Sequence, residues 1–189
     1  EDLQAELAEW KKKYEETQAQ YEEISATLNK YKEESSSDTE TRQNLEDELE
    51  KLNLMLGKTD VEGTGIVITL QDKENEEKVI DADELMIIVN YLKDAGAEAI
   101  SINDQRIVNT TYFSYINNSF IRINSERVTS PYTIKVIGNP DYLKSALIGS
   151  GGYAEKITGW GQEVTIKEER KVEIPKYNGD MKTEYIEEQ

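Results

Sequence analysis

Gly65-Ile66-Val67-Ile68-Thr69-Leu70 decides how the rest of the chain is read. It is a short run of β-branched and apolar side chains, introduced by Val61-Glu62-Gly63-Thr64 and left through a polar loop from Gln71 to Lys78. A run this short and this rich in Ile and Val reads as a buried strand. Downstream, Asp81-Ala82-Asp83-Glu84 offers a capping box. Leu85, Ile88, Val89 and Leu92 then recur on one helical face until Gly96 stops the helix. Ala99 to Ile102 is a second strand. Residues 113–130 read as a hairpin that places Ile121 and Ile123 on one face and turns at Asn124-Ser125. Tyr132 to Ile137 is another strand. Asn139-Pro140 supplies an N-cap with Pro at the first helical position, and Leu143, Ala146 and Leu147 face inward. A short helix is expected near 153–157, then a last strand from Glu163 to about Lys167 that Val172-Glu173-Ile174 extends. The order β-α-β, hairpin, β-α-β predicts an α+β sandwich head over 60–175, with helices on one face of a mixed or antiparallel sheet, the mixed sheet being the first choice. The tail, 176–189, is polar and expected to be loose.

Upstream of the head the period changes from two to seven. Leu3, Leu7, Trp10, Tyr14, Thr17, Tyr21, Ile24, Leu28 and Tyr31 alternate steps of four and three. Carried on without a phase shift, the same register meets Leu45, Leu49, Leu52 and Leu56. A lone straight helix would drift by about 20° per heptad, so a held phase predicts a coiled-coil stalk over 1–57 with these residues as its oligomerisation seam. The polar stretch from Glu34 to Arg42 interrupts it. Either the helix continues for roughly 80 Å, or it turns at 35–38 into an antiparallel hairpin. The held register favours the continuous helix. Gly57 fits the position just past its end.

Among 189 residues there are 39 acidic and 22 basic side chains, a net charge of −17. Residues 1–57 hold 16 acidic and 7 basic groups, net −9, and the remainder holds net −8, so the acidity is not a tail. Such a balance disfavours nucleic acid and anionic lipid as direct partners. The absence of Cys and His removes thiol nucleophiles, Cys/His zinc sites and histidine acid–base chemistry. No enzyme activity, cofactor or metal is expected. The acidic loop from Asp72 to Glu77 does not have EF-hand spacing. Gly149-Ser150-Gly151-Gly152 lacks the lysine and the spacing of a phosphate loop. No apolar run approaches the ~18 residues that cross a bilayer. The opening at Glu1, in mid-helix pattern, reads as a fragment from which an N-terminal part is missing.

The polar group Asn103-Asp104-Gln105-Arg106 follows a strand. Arg106, with Asn103, Gln105 and Arg122, makes a candidate ligand- or partner-binding site, the guanidinium acting as a bidentate donor to a carboxylate. The competing reading is a turn whose Asn and Asp bond local backbone, with Arg106 in an internal pair.

Several segments together resemble a known family. They are Gly63-x-Gly65-Ile66-Val67-Ile68-Thr69-Leu70, Asp83-x-Leu85 through Asn90, Ala95-Gly96-Ala97-Glu98-Ala99-Ile100-Ser101-Ile102-Asn103-x-Gln105-Arg106, and Ser130-Pro131-Tyr132-x-Ile134-x-x-Ile137-Gly138-x-Pro140. They are similar to the YlxW/YlxX-like family of bacterial domains of unknown function. Asp104 stands where that family carries Gly, and Thr110–Ser119 departs from its pattern. The resemblance implies a single-pass membrane protein with a membrane helix ahead of Glu1 and an extracytoplasmic coiled coil and head. It also implies a non-enzymatic scaffold linked to cell division or the envelope. The expected partners are a second copy, joined through the coiled coil that the heptad predicts, and, from the resemblance, other envelope or division proteins. The alternative is an extracytoplasmic ligand-binding sensor.

Overall fold

The structure, a computed structural model, describes residues 2–34, 39–72, 80–116, 120–149, 153, 158 and 162–180. The chain forms two compact units that divide between Thr59 and Asp60.

In the first unit the heptad run is not one helix. It divides into α1 (Asp2–Glu34) and α2 (Thr39–Met55), which pack on each other. The Lys58 ammonium lies 4.0 Å from the centroid of the Tyr21 ring. On an unbroken helix those two positions would stand about 55 Å apart, so the chain has reversed and the hairpin replaces the continuous stalk. Leu28, Leu52 and Leu56 are buried, and Tyr14, Tyr21, Ile24, Leu45 and Leu49 are half-buried. The side chains of Leu3, Leu7 and Trp10 lie outside the described residues. α2 ends in a Schellman motif: Gly57 takes φ +73, Lys58 N–H donates to the Asn53 carbonyl, and Gly57 N–H donates to that of Leu54.

The second unit is α+β. Its elements are β1 (Val61–Gln71), α3 (Ala82–Asp94), β2 (Ala99–Ile102), β3 (Gln105–Arg106), β4 (Phe113–Ile116), β5 (Phe120–Ile123), β6 (Glu126–Val128), β7 (Tyr132–Ile137), α4 (Pro140–Ile148) and β8 (Glu163–Ile174). One sheet has the order β3-β2-β7-β1-β8 and a second has the order β4-β5-β6. Every pairing is antiparallel, which corrects the mixed sheet and selects the antiparallel alternative. The two β-α-β units are split: β7 lies between β1 and β2, and β1 lies between β7 and β8. This is the ferredoxin-like arrangement. The expected hairpin over 113–130 is a three-stranded meander. The last strand runs unbroken from Glu163 to Ile174, longer than the sequence indicated. The short helix expected at 153–157 falls almost wholly outside the described residues.

The α3 cap is the capping box read from sequence. Glu84 N–H donates to Asp81 Oδ1 at 2.9 Å, and Asp81 N–H donates to Glu84 Oε2 at 3.0 Å. Asn139 caps α4 ahead of Pro140. The inward faces of the helices bring Leu85, Ile88, Leu92, Leu143 and Leu147 onto Ile66, Ile68 and Leu70 of β1 and Ile134 and Val136 of β7. The small sheet adds Ile121, Ile123 and Val128 to the same core. Each such side chain stabilises the fold by roughly 1.5–3 kcal/mol relative to exposure. On the opposite face of the large sheet, Ala99, Ile137, Val172 and Ile174 form a smaller cluster.

β1 and β7 approach closely because Gly65 has no side chain. A Cβ there would sit 1.8 Å from the Val136 carbonyl oxygen. The tail is not wholly loose, since Lys176 N–H donates to Asp60 Oδ1 at 2.7 Å.

Candidate functional site

Asn103 and Asp104 join β2 to β3 with φ values of +46 and +63. Two consecutive positive φ angles are the requirement of a two-residue type I′ hairpin, which Asn and Asp tolerate through their short polar side chains. Asn103 then fastens the turn to β7. Its Oδ1 accepts from Thr133 N–H at 2.7 Å, and its Nδ2 donates to the Thr129 carbonyl at 3.0 Å. Its backbone N–H donates to the Thr133 carbonyl at 2.9 Å. The stretch it grips, next to the cis Ser130–Pro131 bond, opens β7. Asp104 pairs with Lys135 at 2.8 Å. Gln105 pairs with Ile102 across the turn.

Arg106 is 5% exposed. Its Nη1 donates to the Pro175 carbonyl at 3.3 Å, so the edge strand β3 is tied to the segment that leaves β8. Burial lowers its pKa, and the Asp60 carboxylate acts in the opposite direction. A guanidinium keeps its charge under such a perturbation. The Arg106 carbonyl accepts from Asn124 Nδ2 at 2.7 Å, which anchors the β5–β6 turn to β3. Beside Arg106, across the β2–β3 ladder, Ser101 is fully buried, and among the described residues its Oγ has no hydrogen-bond partner.

Arg122 stands elsewhere. It lies on β5, and its Nε donates to the Ser125 carbonyl at 3.3 Å within its own hairpin. The structure therefore brings Asn103, Gln105 and Arg106 together in one turn, where Asn103 and Arg106 serve as fasteners, and assigns Arg122 to a different sheet. Opposite Arg122, on β6, is Arg127, whose guanidinium carbon lies 4.5 Å from the centroid of the Phe120 ring. The sequence reading missed Arg127. A two-residue turn at Asn124-Ser125 sets 122 against 127 by counting alone, so the signal was there. Among the described residues, no group of three or more carboxylates is placed to hold a metal ion, and no helix is long and apolar enough to cross a membrane.

The model of the family described as "Bacterial protein of unknown function (DUF881)" matches residues 48–187. The chain belongs to this family. Within the DUF881 family it is similar to the UPF0749 protein YlxX of Bacillus subtilis, 34% identical over 158 residues, covering 79% of this chain and 66% of that protein. It is 26% identical over 138 residues to the UPF0749 protein YlxW of the same organism, covering 69% and 59%. To the UPF0749 protein Rv1825 of Mycobacterium tuberculosis it is 27% identical over 157 residues, covering 80% and 52%. The chain thus spans between about half and two thirds of the length of these DUF881 relatives, whose names state no enzymatic activity. An uncharacterized conserved protein from Mycobacterium tuberculosis shares the fold, with a TM-score of 0.63 at 23% identity over 75% of this chain and 99% of that one.

Proposed function

We propose that this chain is a non-enzymatic scaffold of the bacterial envelope, tethered on the extracytoplasmic side of the membrane and working with division or envelope proteins. The observation that carries the reading is how the polar turn is used. Asn103 and Arg106, the groups best suited to catch a ligand, are engaged with Thr133, Thr129 and Pro175 of the same chain. A head whose richest polar cluster holds its own strands together is suited to presenting a surface rather than enclosing a substrate.

The helical unit supplies self-association. α1 has 33 residues and α2 has 17, lengths of about 50 and 25 Å. α2 therefore covers about half of α1, and Leu3, Leu7 and Trp10 continue the heptad stripe into the other half. A second copy joining along that stripe buries it.

The tether is tested by fractionating cells that carry the full-length protein and treating them with protease from outside the membrane. The expected result is sedimentation with membranes, release by detergent but not by high salt, and digestion of the head once the outer barriers are opened. Recovery in the soluble fraction, or protection of the head, contradicts the tether.

A further inference from the structure

We propose that the outward face of the β4-β5-β6 sheet is a docking surface for a short acidic and apolar peptide segment of another protein, gripped by Arg122 and Arg127. Ile121, Ile123 and Val128 enter the core, so alternation along the strands turns Phe120, Arg122 and Arg127 to the other side. The register sets Ser114, Arg122 and Arg127 in one row across the three strands, with Ile116 and Phe120 paired beside it.

Two guanidiniums directly opposite each other on neighbouring strands repel. In a chain with 39 acidic side chains, a nearby carboxylate would relieve that repulsion. Yet among the described residues neither arginine forms an ion pair. Both are held in place nonetheless, Arg127 on the Phe120 ring and Arg122 on the Ser125 carbonyl. Paired, pre-positioned forks beside an apolar shelf are the complement of a carboxylate next to an aliphatic or aromatic side chain.

The net charge decides the class of partner. At −17 the chain repels an extended polyanion such as a nucleic acid or an anionic bilayer. One or two carboxylates lying on the pair feel mainly the adjacent guanidiniums, because charges beyond about 8–10 Å are screened at physiological salt. The site stands on the head alone and does not depend on self-association of α1.

The test is an NMR titration of the whole chain with two probe peptides, acetyl-Glu-Leu-Glu-Leu-amide and its Gln-Leu-Gln-Leu counterpart. Vesicles of phosphatidylglycerol are assayed beside them by co-sedimentation. The expected result is saturable shifts at the Arg122 and Arg127 side-chain Nε–H groups and at Phe120 with the acidic peptide. The glutamine peptide should bind at least tenfold more weakly, and the vesicles should not capture the chain. Arg127→Gln and Arg122→Gln should each weaken the acidic peptide at least tenfold while the remaining spectrum is preserved. Should Arg122→Gln disturb the hairpin, the exposed Arg127→Gln variant carries the test alone. Equal shifts with both peptides, no shifts at saturating peptide, an unaffected Arg127→Gln, or capture by vesicles in place of the peptide would each overturn the proposal.

Discussion

Arg106 Nη1 donates to the carbonyl of Pro175, 69 positions away, and so couples the edge strand β3 to the end of β8. The pair closes the second face of the large sheet beside Asp60, whose carboxylate also accepts from Lys176 N–H. Removing the guanidinium leaves the half-buried Pro175 carbonyl without that donor. Arg106→Ala is expected to cost about 1.5–3 kcal/mol, the range for a hydrogen bond made by a charged group. Urea unfolding of the two proteins measures it. A variant as stable as the wild type would return Arg106 to the list of ligand-binding candidates.

Gly65 is a steric requirement of the β1–β7 pairing. Alanine there drives its methyl group into the backbone at Val136, which cannot move without breaking the ladder. Gly65→Ala should destabilise the head by more than about 3 kcal/mol. Circular dichroism and thermal melts report this. A variant with a native melt would show that the strands can separate at no cost.

Tyr132 gives the head an alkaline limit. Burial raises its pKa from 10.0 to about 12, with Asp72 adding to the effect. Below pH 10 the hydroxyl is protonated in both folded and unfolded chains. Between pH 10 and 12 the unfolded chain loses the proton while the folded one keeps it, so stability falls as pH rises through that window. Burial pushes Tyr153 in the same direction. Tyr132→Phe should therefore flatten the decline, retaining about 1–2 kcal/mol more at pH 12 than the wild type does relative to pH 9. Denaturant titrations at the two pH values read the difference, and parallel declines would contradict it.

Local signals in the sequence carried over well to the structure. The β1 run, the Asp81/Glu84 box, the Asn139-Pro140 start and the Asn124-Ser125 turn are each specified by neighbours a few residues apart. Strand order is set by pairings between distant segments such as Gly65 with Ile137, and no local pattern contains it. The sequence ends the last strand near Lys167 and extends it only at Val172, yet the charged Glu168-Glu169-Arg170-Lys171 run between them continues β8, an edge strand that can carry charge without burying it. The held heptad misled because phase counts residues and is blind to direction. From Tyr31 to Leu45 is two whole heptads, so a reversal inside that interval leaves the register intact. The polar Ser35, Asp38 and Arg42 at seam positions were the signal for the turn. At the candidate site, Asn103 was legible as a turn residue. The burial of Arg106 was not, because its partner Pro175 is remote in sequence.

The proposed scaffold would self-associate through the half of α1 that α2 does not cover. Multi-angle light scattering of the 189-residue chain at high micromolar concentration tests this most directly. The wild type is expected at two or three times its chain mass of 21.6 kDa, and Leu7→Glu combined with Trp10→Glu at a single chain mass with an unchanged head. A wild-type protein that elutes at a single chain mass at that concentration would contradict the account.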